Sequence, residues 1–448
     1  MSGALKVLIV TYYWPPAGGP GVQRWLKFAR YLKEFGIDPV IFCPKGANYP
    51  VLDPLLLSDV PSDLEILQLP IFEPAKILSH FAPKSSKSIS TGMVNTKNPG
   101  LLERLMMTIR GHLFIPDPRK YWVKPAVGHI EQYLEQYPEV KLVITTGPPH
   151  SVHLIGQRLQ QSRGIKWMAD FRDPWTEIYY HKSLNLMQWA KRRHLRLEQG
   201  VLESADRILT TSPTTAAAFQ SRTPRTVSLI TNGYDAQDFK DIPKQDTEVV
   251  KFRITHVGTL MTPRNPLALW QALARILEQQ STEDFQTFKD DLVIELTGNV
   301  APEVIESINS HGLGKFLVLA PNRSHKEAIQ AMARGEVLLL TERDEADAHH
   351  IVPAKLFEYL ALSAPILALG PAQSAIAPIL NSTQAGVYFV QGDQDGVAHY
   401  LSEAYRAFKT NSLKNNRAQC SAYERRNLTQ QLAILIKEMI AQINLHPA

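Results

Sequence analysis

In Pro353-Ala354-Lys355-Leu356-Phe357-Glu358-Tyr359-Leu360 a lysine and a glutamate stand three residues apart at a helix start. One helical turn apart, they can divide a nucleotide, Lys355 taking phosphate and Glu358 the ribose hydroxyls. They can equally form a surface ion pair worth a few tenths of a kcal/mol. The segment Gly258-Thr259-Leu260-Met261-Thr262-Pro263-Arg264-Asn265-Pro266 follows an apolar run, and its Arg264 can bind a diphosphate through charge-assisted hydrogen bonds. Near the N-terminus, Pro15-Pro16-Ala17-Gly18-Gly19-Pro20-Gly21 joins a strand to a helix, where free N–H groups and the helix dipole favour an anion. Its spacing is not GxGxxG, and no acid follows the second strand (IFCPKG), which argues against a nicotinamide dehydrogenase. Two further polar segments are Gly147-Pro148-Pro149-His150-Ser151 and Asp170-Phe171-Arg172-Asp173-Pro174-Trp175. His150, Asp170, Arg172 and Asp173 can point into one crevice at the carboxyl ends of strands. The plainer alternatives are a structural histidine and an Arg172–Asp salt bridge. Metal motifs are weak: Asp393-Gln394-Asp395 sits before a helix that Asp395 would N-cap, and His349-His350 are adjacent rather than one turn apart.

The elements that must position these residues alternate. Strands are expected at Lys6–Thr11, Val40–Phe42, Glu65–Leu69, Leu142–Thr146, Trp167–Asp170, Ile208–Thr211 and Val227–Ile230. After a polar linker come Arg253–Val257, Leu292–Thr297, Phe316–Leu319, Val337–Thr341, Ile366–Leu369 and Val387–Val390. Amphipathic stretches separate them, as doubly wound parallel sheets require. In the first helix Trp25, Phe28, Ala29, Leu32 and Phe35 share a face, with Arg24, Lys27 and Arg30 turned away and Gly36 ending it. The expected organisation is a first domain over 1–232 with an insertion near 44–136, a linker at 233–250, a second domain over 251–412 and closing helices over 413–448.

The bulk numbers agree with two ordinary globular domains: 448 residues, 44% hydrophobic and 20% charged. Disordered, collagen-like and coiled-coil classes are excluded. The net charge of +5 is too dilute for a nucleic-acid binder. Cys43 and Cys420 cannot form a disulfide framework or a cysteine-rich zinc site, which fits a reducing, cytoplasmic setting. No signal-peptide core or long apolar run is present, so any membrane contact would be peripheral. Residues 74–125 hold nine Lys or Arg against two acids, a net of +7, with Leu101, Leu102, Leu105, Met106 and Ile109 at helical spacing. This segment would either rest on the anionic inner face of a membrane or pack as an acceptor-side helix.

Together, PPAGGPGVQR, PDPRKYW, TTGPPHSVHLIG, DFRDPW, ITNGYD, HVGTL, LTGN, PAKLFEYLA and YERRNLTQQLA resemble, in order and spacing, glycosyltransferases of the GT-B fold, specifically the large family-4 type. The resemblance runs nearly end to end. It implies two Rossmann-like domains facing a central cleft, with a C-terminal helix crossing back to the N-terminal domain. It also implies a retaining, metal-independent transfer from a UDP-, GDP- or ADP-sugar to a glycan or lipid-linked acceptor in bacterial surface polysaccharide synthesis, with no cofactor. By this resemblance Gly18 and Gly19 approach the donor phosphates or sugar, Gly258 and Thr259 join them, and Arg264 and Lys355 neutralise the diphosphate. Glu358 holds the ribose, and Gly298 and Asn322 flank the base. Thr259 stands where members carry Arg, and His350 where they carry a Glu eight residues before the ribose-binding one. Rival readings are a catalytically silent nucleotide-sugar-binding partner and another GT-B enzyme, an epimerase or phosphorylase, although nothing marks the carboxylates or the pyridoxal lysine those need.

Overall fold

Apolar runs build two sheets whose described pairings are all parallel, with the central strands buried on both faces and the edge strands half-exposed. The computed structural model describes residues 4–73, 111–178, 184, 186–240, 242, 251–278, 283–343, 351–413 and 418–445. The chain divides into two units, 1–231 with 425–448, and 232–424.

Unit 1 carries seven strands: β1 (Leu5–Thr11), β2 (Ile37–Lys45), β3 (Glu65–Pro70), β4 (Leu142–Gly147), β5 (Lys166–Phe171), β6 (Arg207–Thr210) and β7 (Thr226–Leu229), in the order β3-β2-β1-β4-β5-β6-β7. The order reverses between β1 and β4, so the loops after these two strands diverge and open a crevice at their carboxyl ends. Helix α1 (Pro20–Leu32) follows β1, α2 (Ser151–Arg163) follows β4 and α3 (Gln188–Ser204) precedes β6. The closing helix Arg425–Leu445 sets Leu428, Leu432, Ile436, Met439 and Ile440 into the core shared by β1 and α1, where Val7, Ile9, Trp25 and Phe28 lie. Arg426 reaches Glu34 at 2.7 Å.

Two sequence expectations change here. Arg24 and Lys27 do not face solvent: Arg24 is fully buried and Lys27 is 4% exposed beside Asp59 at 3.1 Å. A buried ion partner on another element makes a polar helical position part of the core. Residues 44–136 are also more integral than an insertion, because β3 forms the sheet edge and a helix at Lys120–Gln136 buries Trp122, Val123, Ala126 and Ile130 against Leu8, Val10 and Phe42. Pro125 inside that helix hides it from a periodicity reading. Residues 74–110, with most of the basic stretch, lie outside the described residues.

Unit 2 carries β8 (Phe252–Val257), β9 (Leu292–Thr297), β10 (Leu317–Ala320), β11 (Val337–Thr341), β12 (Ile366–Gly370) and β13 (Gly386–Val390), ordered β10-β9-β8-β11-β12-β13. Its reversal lies between β8 and β11. The short helix α4 (Ala354–Leu360) buries Leu356, Phe357, Tyr359 and Leu360 below β11. Both borders of this unit differ from the expected ones. Asp235 caps a short turn at Ala236–Phe239, inside the expected linker. Beyond residue 412, Ala418 N–H donates to Thr383 O and Tyr423 packs on Phe357, so the chain up to 424 stays with unit 2. Among the described residues no helix is long and apolar enough to cross a membrane.

Candidate functional site

In unit 1 Asp170 and Arg172, at the crevice end, are taken up by bonds within the fold. Asp170, at the end of β5 and fully buried, accepts from Trp25 Nε1 at 2.7 Å, Thr146 Oγ1 at 2.8 Å and Arg24 Nη2 at 3.2 Å. Arg24 Nη1 donates to Thr231 O at 2.7 Å. The carboxylate therefore ties α1 to β4 and β5, and both of its oxygens are engaged. Arg172 lies back over the preceding loop, its Nε on Gly147 O at 3.1 Å and its Nη2 on Pro148 O. Its Nη1 rests against α1 so closely that a Cβ on Gly21 would lie 1.4 Å from it. Gly21 is thus a site glycine that its turn-like surroundings conceal. Gly19 N-caps α1 at φ +107°, and Gly18 N–H donates to Val51 O.

His150 stands at the α2 N-terminus and stacks on Trp175, ring centroids 5.0 Å apart and planes 5° from parallel. Asp117 of the PDPR segment caps the same helix, accepting from Ser151 N–H and Oγ at 2.8 Å each. The loop after β5 is anchored by Glu198 of α3, which accepts from the N–H groups of Trp175 and Thr176 and from Thr176 Oγ1. Asp173 is half-buried; burial raises its carboxyl pKa, while the Arg172 charge opposes that. His153, which the sequence reading passed over, is fully buried with Nδ1 3.0 Å from Thr145 Oγ1, and burial pulls its pKa down to about 3.

The crevice end of unit 2 is built differently. The β8–β11 ladder pairs only Ile254 with Val337 and Thr255 with Leu338, then parts. Beyond that point Tyr359 OH accepts from Val257 N–H at 3.2 Å and donates to Leu339 O at 3.3 Å. His256 Nδ1 meets the same carbonyl at 3.0 Å. A side chain from α4 and one from β8 thus plug the parted strands. Gly258 follows at φ +140°, a conformation that suits glycine, and among the described residues a Cβ there would find His256 Nε2 (3.8 Å) and Lys355 Cε (4.0 Å) within 4 Å. Lys355 Nζ lies 2.5 Å from Glu358 Oε2, so the two residues at i and i+3 do pair.

Arg264 sits on a short turn at Thr262–Arg264, and the helix Leu267–Glu278 begins directly after Pro266. The positive charges of Arg264 and Lys355 both act on His256; burial chiefly, and these cations further, pull its pKa down to about 4 despite the Leu339 bond. Glu342, just past β11 and 3% exposed, accepts on Oε2 from Ser374 Oγ and Tyr388 OH, whereas Oε1 has no hydrogen-bond partner among the described residues. Burial raises its carboxyl pKa against those two bonds and the Arg264 charge. Gly298 (φ +126°) packs on the Gly258 carbonyl, where a Cβ would approach to 2.2 Å, and Asn322 Oδ1 lies 3.3 Å from the same point. Thr259 and Asn322 are exposed.

Lys355, Glu358, Gly258, Gly298 and Asn322 are therefore linked neighbours, with Arg264 in electrostatic range. His256 and Glu342 belong with them and were missed, because each reads as an ordinary strand-end residue. Asp395 does not cap its helix: Asp393 accepts from Gly396 N–H at 2.9 Å, and Asp395 pairs with Arg275. His349 and His350 lie outside the described residues. Among the described residues no three His, Cys, Asp or Glu side chains gather as a metal would require.

Protein-family models and curated protein sequences give no match to this chain. Solved structures do. Sucrose-phosphate synthase from Thermosynechococcus elongatus superposes with a TM-score of 0.61 at 13% identity, over 98% of this chain and 99% of that one. HepE of Anabaena, solved with UDP, gives 0.62 at 13%, over 97% and 100%. A Listeria monocytogenes structure provisionally assigned as a UDP-N-acetylglucosamine 2-epimerase gives 0.53 at 11%, over 98% of each chain. At such identities the likeness concerns the fold, and the two doubly wound parallel sheets of this chain have the GT-B architecture of glycosyltransferases.

Proposed function

We propose that the chain is a retaining glycosyltransferase, moving a sugar from a UDP-, GDP- or ADP-sugar to a hydroxyl of a glycan or lipid-linked acceptor in bacterial surface polysaccharide synthesis. The observation that carries this reading is the group at the β8/β11 reversal: Gly258 leaves a space bordered by His256 and Lys355, Glu358 stands on Lys355, and the Arg264 charge reaches the same place. Two cations beside a carboxylate suit a nucleoside diphosphate, and strand reversals are where such folds take ligands. HepE, which shares the fold, holds UDP.

In this reading Arg264 and Lys355 bind the diphosphate, Glu358 the ribose hydroxyls, Gly258 and Thr259 offer backbone to the phosphates, and Gly298 and Asn322 flank the base. The bond from C1 of the sugar to the phosphate oxygen breaks, its electron pair staying with the diphosphate. The acceptor oxygen bonds C1 on the same face, and its proton passes to the departing phosphate oxygen. Negative charge grows on that oxygen in the transition state, so cations already in place lower the barrier without reorganising. No metal is invoked. Gly18 and Gly19 keep their assignment to the donor phosphates or sugar. His150 and Asp173 are the polar groups of unit 1 offered to the acceptor or reacting sugar; Arg172 acts as a positioning residue on the loop that carries His150, and Asp170 as one through α1.

Incubation with labelled UDP-, GDP- and ADP-sugars and a membrane extract tests the reading. Nucleoside diphosphate release together with label in an acceptor is the expected result. Binding without release would favour a silent nucleotide-sugar-binding partner, and an epimerised nucleotide sugar would favour the epimerase chemistry that the Listeria structure brings to mind.

A further inference from the structure

At the β8/β11 reversal His256 is 5% exposed, and its two nitrogens have opposite fates. Nδ1 faces Leu339 O, a pure acceptor, so Nδ1 carries the hydrogen and donates. With the pKa far below neutrality the ring is uncharged at pH 7, and Nε2 is left as a bare lone pair. Among the described residues no side chain or backbone group donates to Nε2. A buried acceptor without a donor costs free energy, and one that borders an open space can be completed by a donor from outside the chain, a ligand or an ordered water. Nε2 borders the space that Gly258 leaves open, 3.8 Å from where a Cβ would stand, and Lys355 Cε borders it at 4.0 Å.

We propose that His256 is a further substrate-binding residue, whose Nε2 accepts a hydrogen bond from a hydroxyl of the nucleotide sugar seated against Gly258. This rests on the donor-site reading above. Diphosphate oxygens carry no hydrogens to give, so the matching groups are the hydroxyls of the ribose or of the transferred sugar. Lys355 Cε borders this space, with its ammonium on Glu358. Turning that ammonium to phosphate would free Glu358, so one movement readies a cation and a carboxylate beside Nε2. Because Nδ1 is fixed on the strand carbonyl, the ring cannot flip to present a donor instead, which makes the site selective for a hydrogen given by the ligand.

The test compares His256→Asn, His256→Gln and wild type, titrated with UDP, GDP and ADP and with their glucose or mannose conjugates. Asparagine keeps a donor toward Leu339 but brings no acceptor to the Nε2 position; glutamine reaches it with Oε1. Loss of one neutral hydrogen bond corresponds to about a threefold to tenfold rise in Kd. The expected result is that rise in H256N, substantial recovery in H256Q, and apo melting temperatures close to wild type in both. An effect on the nucleoside diphosphates themselves places the hydroxyl on ribose; an effect confined to the conjugates places it on the sugar. Nitrogen-15 spectra of the histidines should show His256 with an unprotonated Nε2 whose signal moves upfield on ligand addition. Unchanged Kd in H256N with tight wild-type binding, or a protonated Nε2 in the free protein, overturns the assignment of His256 alone. Wild-type protein that binds none of these nucleotides overturns the donor-site reading and this one with it.

Discussion

The two units share a strand order of reversal type, yet they treat charge at the reversal oppositely. In unit 1 Asp170 spends its oxygens on Arg24, Trp25 and Thr146, and Arg172 spends its guanidinium on the carbonyls of Gly147 and Pro148. In unit 2 Lys355 and Glu358 hold each other on a partly open surface, while among the described residues none donates to His256 Nε2 or Glu342 Oε1. One crevice end is stitched closed by side chains from distant elements, and the other keeps unspent hydrogen-bonding capacity. Topology provides both crevices, and the difference between a brace and a receptor comes from which side chains are already satisfied.

That contrast is broken most severely at the brace. Replacing Asp170 with Asn leaves the fully buried Arg24 charge uncompensated, a change that costs about 3 kcal/mol or more. Urea denaturation followed by tryptophan fluorescence should show unit 1 unfolding earlier in D170N, with Arg24→Met plus Asp170→Leu costing much less than the sum of its single changes. Wild-type stability in D170N would mean that the carboxylate is not the tie the geometry makes it. Nucleotide affinity should change far less than stability.

The receptor should fail the other way round. Arg264→Ala or Lys355→Ala removes a cation from the leaving diphosphate and should lower turnover about a hundredfold or more, with urea midpoints nearly unchanged. Turnover within twofold of wild type in both would remove the cation pair from the mechanism. Glu358→Gln comes next. A carboxylate holding ribose hydroxyls contributes about 1.5–3 kcal/mol, so nucleotide binding should weaken about tenfold to a hundredfold by calorimetry. Unaltered affinity would return Glu358 to being only the partner of Lys355.

Thirteen strands are legible in the sequence because each is an apolar run bounded by turn residues, and a doubly wound sheet buries such runs on both faces. Spacing also brings Lys355 and Glu358 together, since one helical turn enforces it. What stays hidden depends on partners far along the chain. Arg24 looks solvent-facing on a helical wheel, and its counter-ion lies 146 residues on. Asp170 reads as reactive for the same reason, because the tryptophan and threonine that saturate it are invisible locally. His256 and Glu342 look like plain strand ends until the β8–β11 ladder is seen to part after Thr255 and Leu338. The signal that finds them is the order reversal itself, once each strand is assigned a neighbour.

The smallest effect should also separate the units. His325, in the helix that follows the Asn322 loop, has Nε2 3.3 Å from Asp238 Oδ2. That bond chiefly raises the histidine pKa; burial works against it, Glu358 assists and Lys355 opposes, for a net rise above the usual 6.5. A histidine whose folded pKa exceeds its unfolded one stabilises the fold fully below the unfolded value and loses that contribution as pH climbs through the folded one. Unit 2 should therefore soften slightly from about pH 6.5 upward, by under about 1 kcal/mol for this partly exposed pair. Melting curves of wild type and His325→Gln between pH 5.5 and 8.5 should differ at the acid end and converge at the alkaline end. Parallel curves would mean that the pair carries no net charge interaction. Because Glu358 contributes to the rise, Glu358→Gln should narrow the same gap, and D170N in unit 1 should leave it alone.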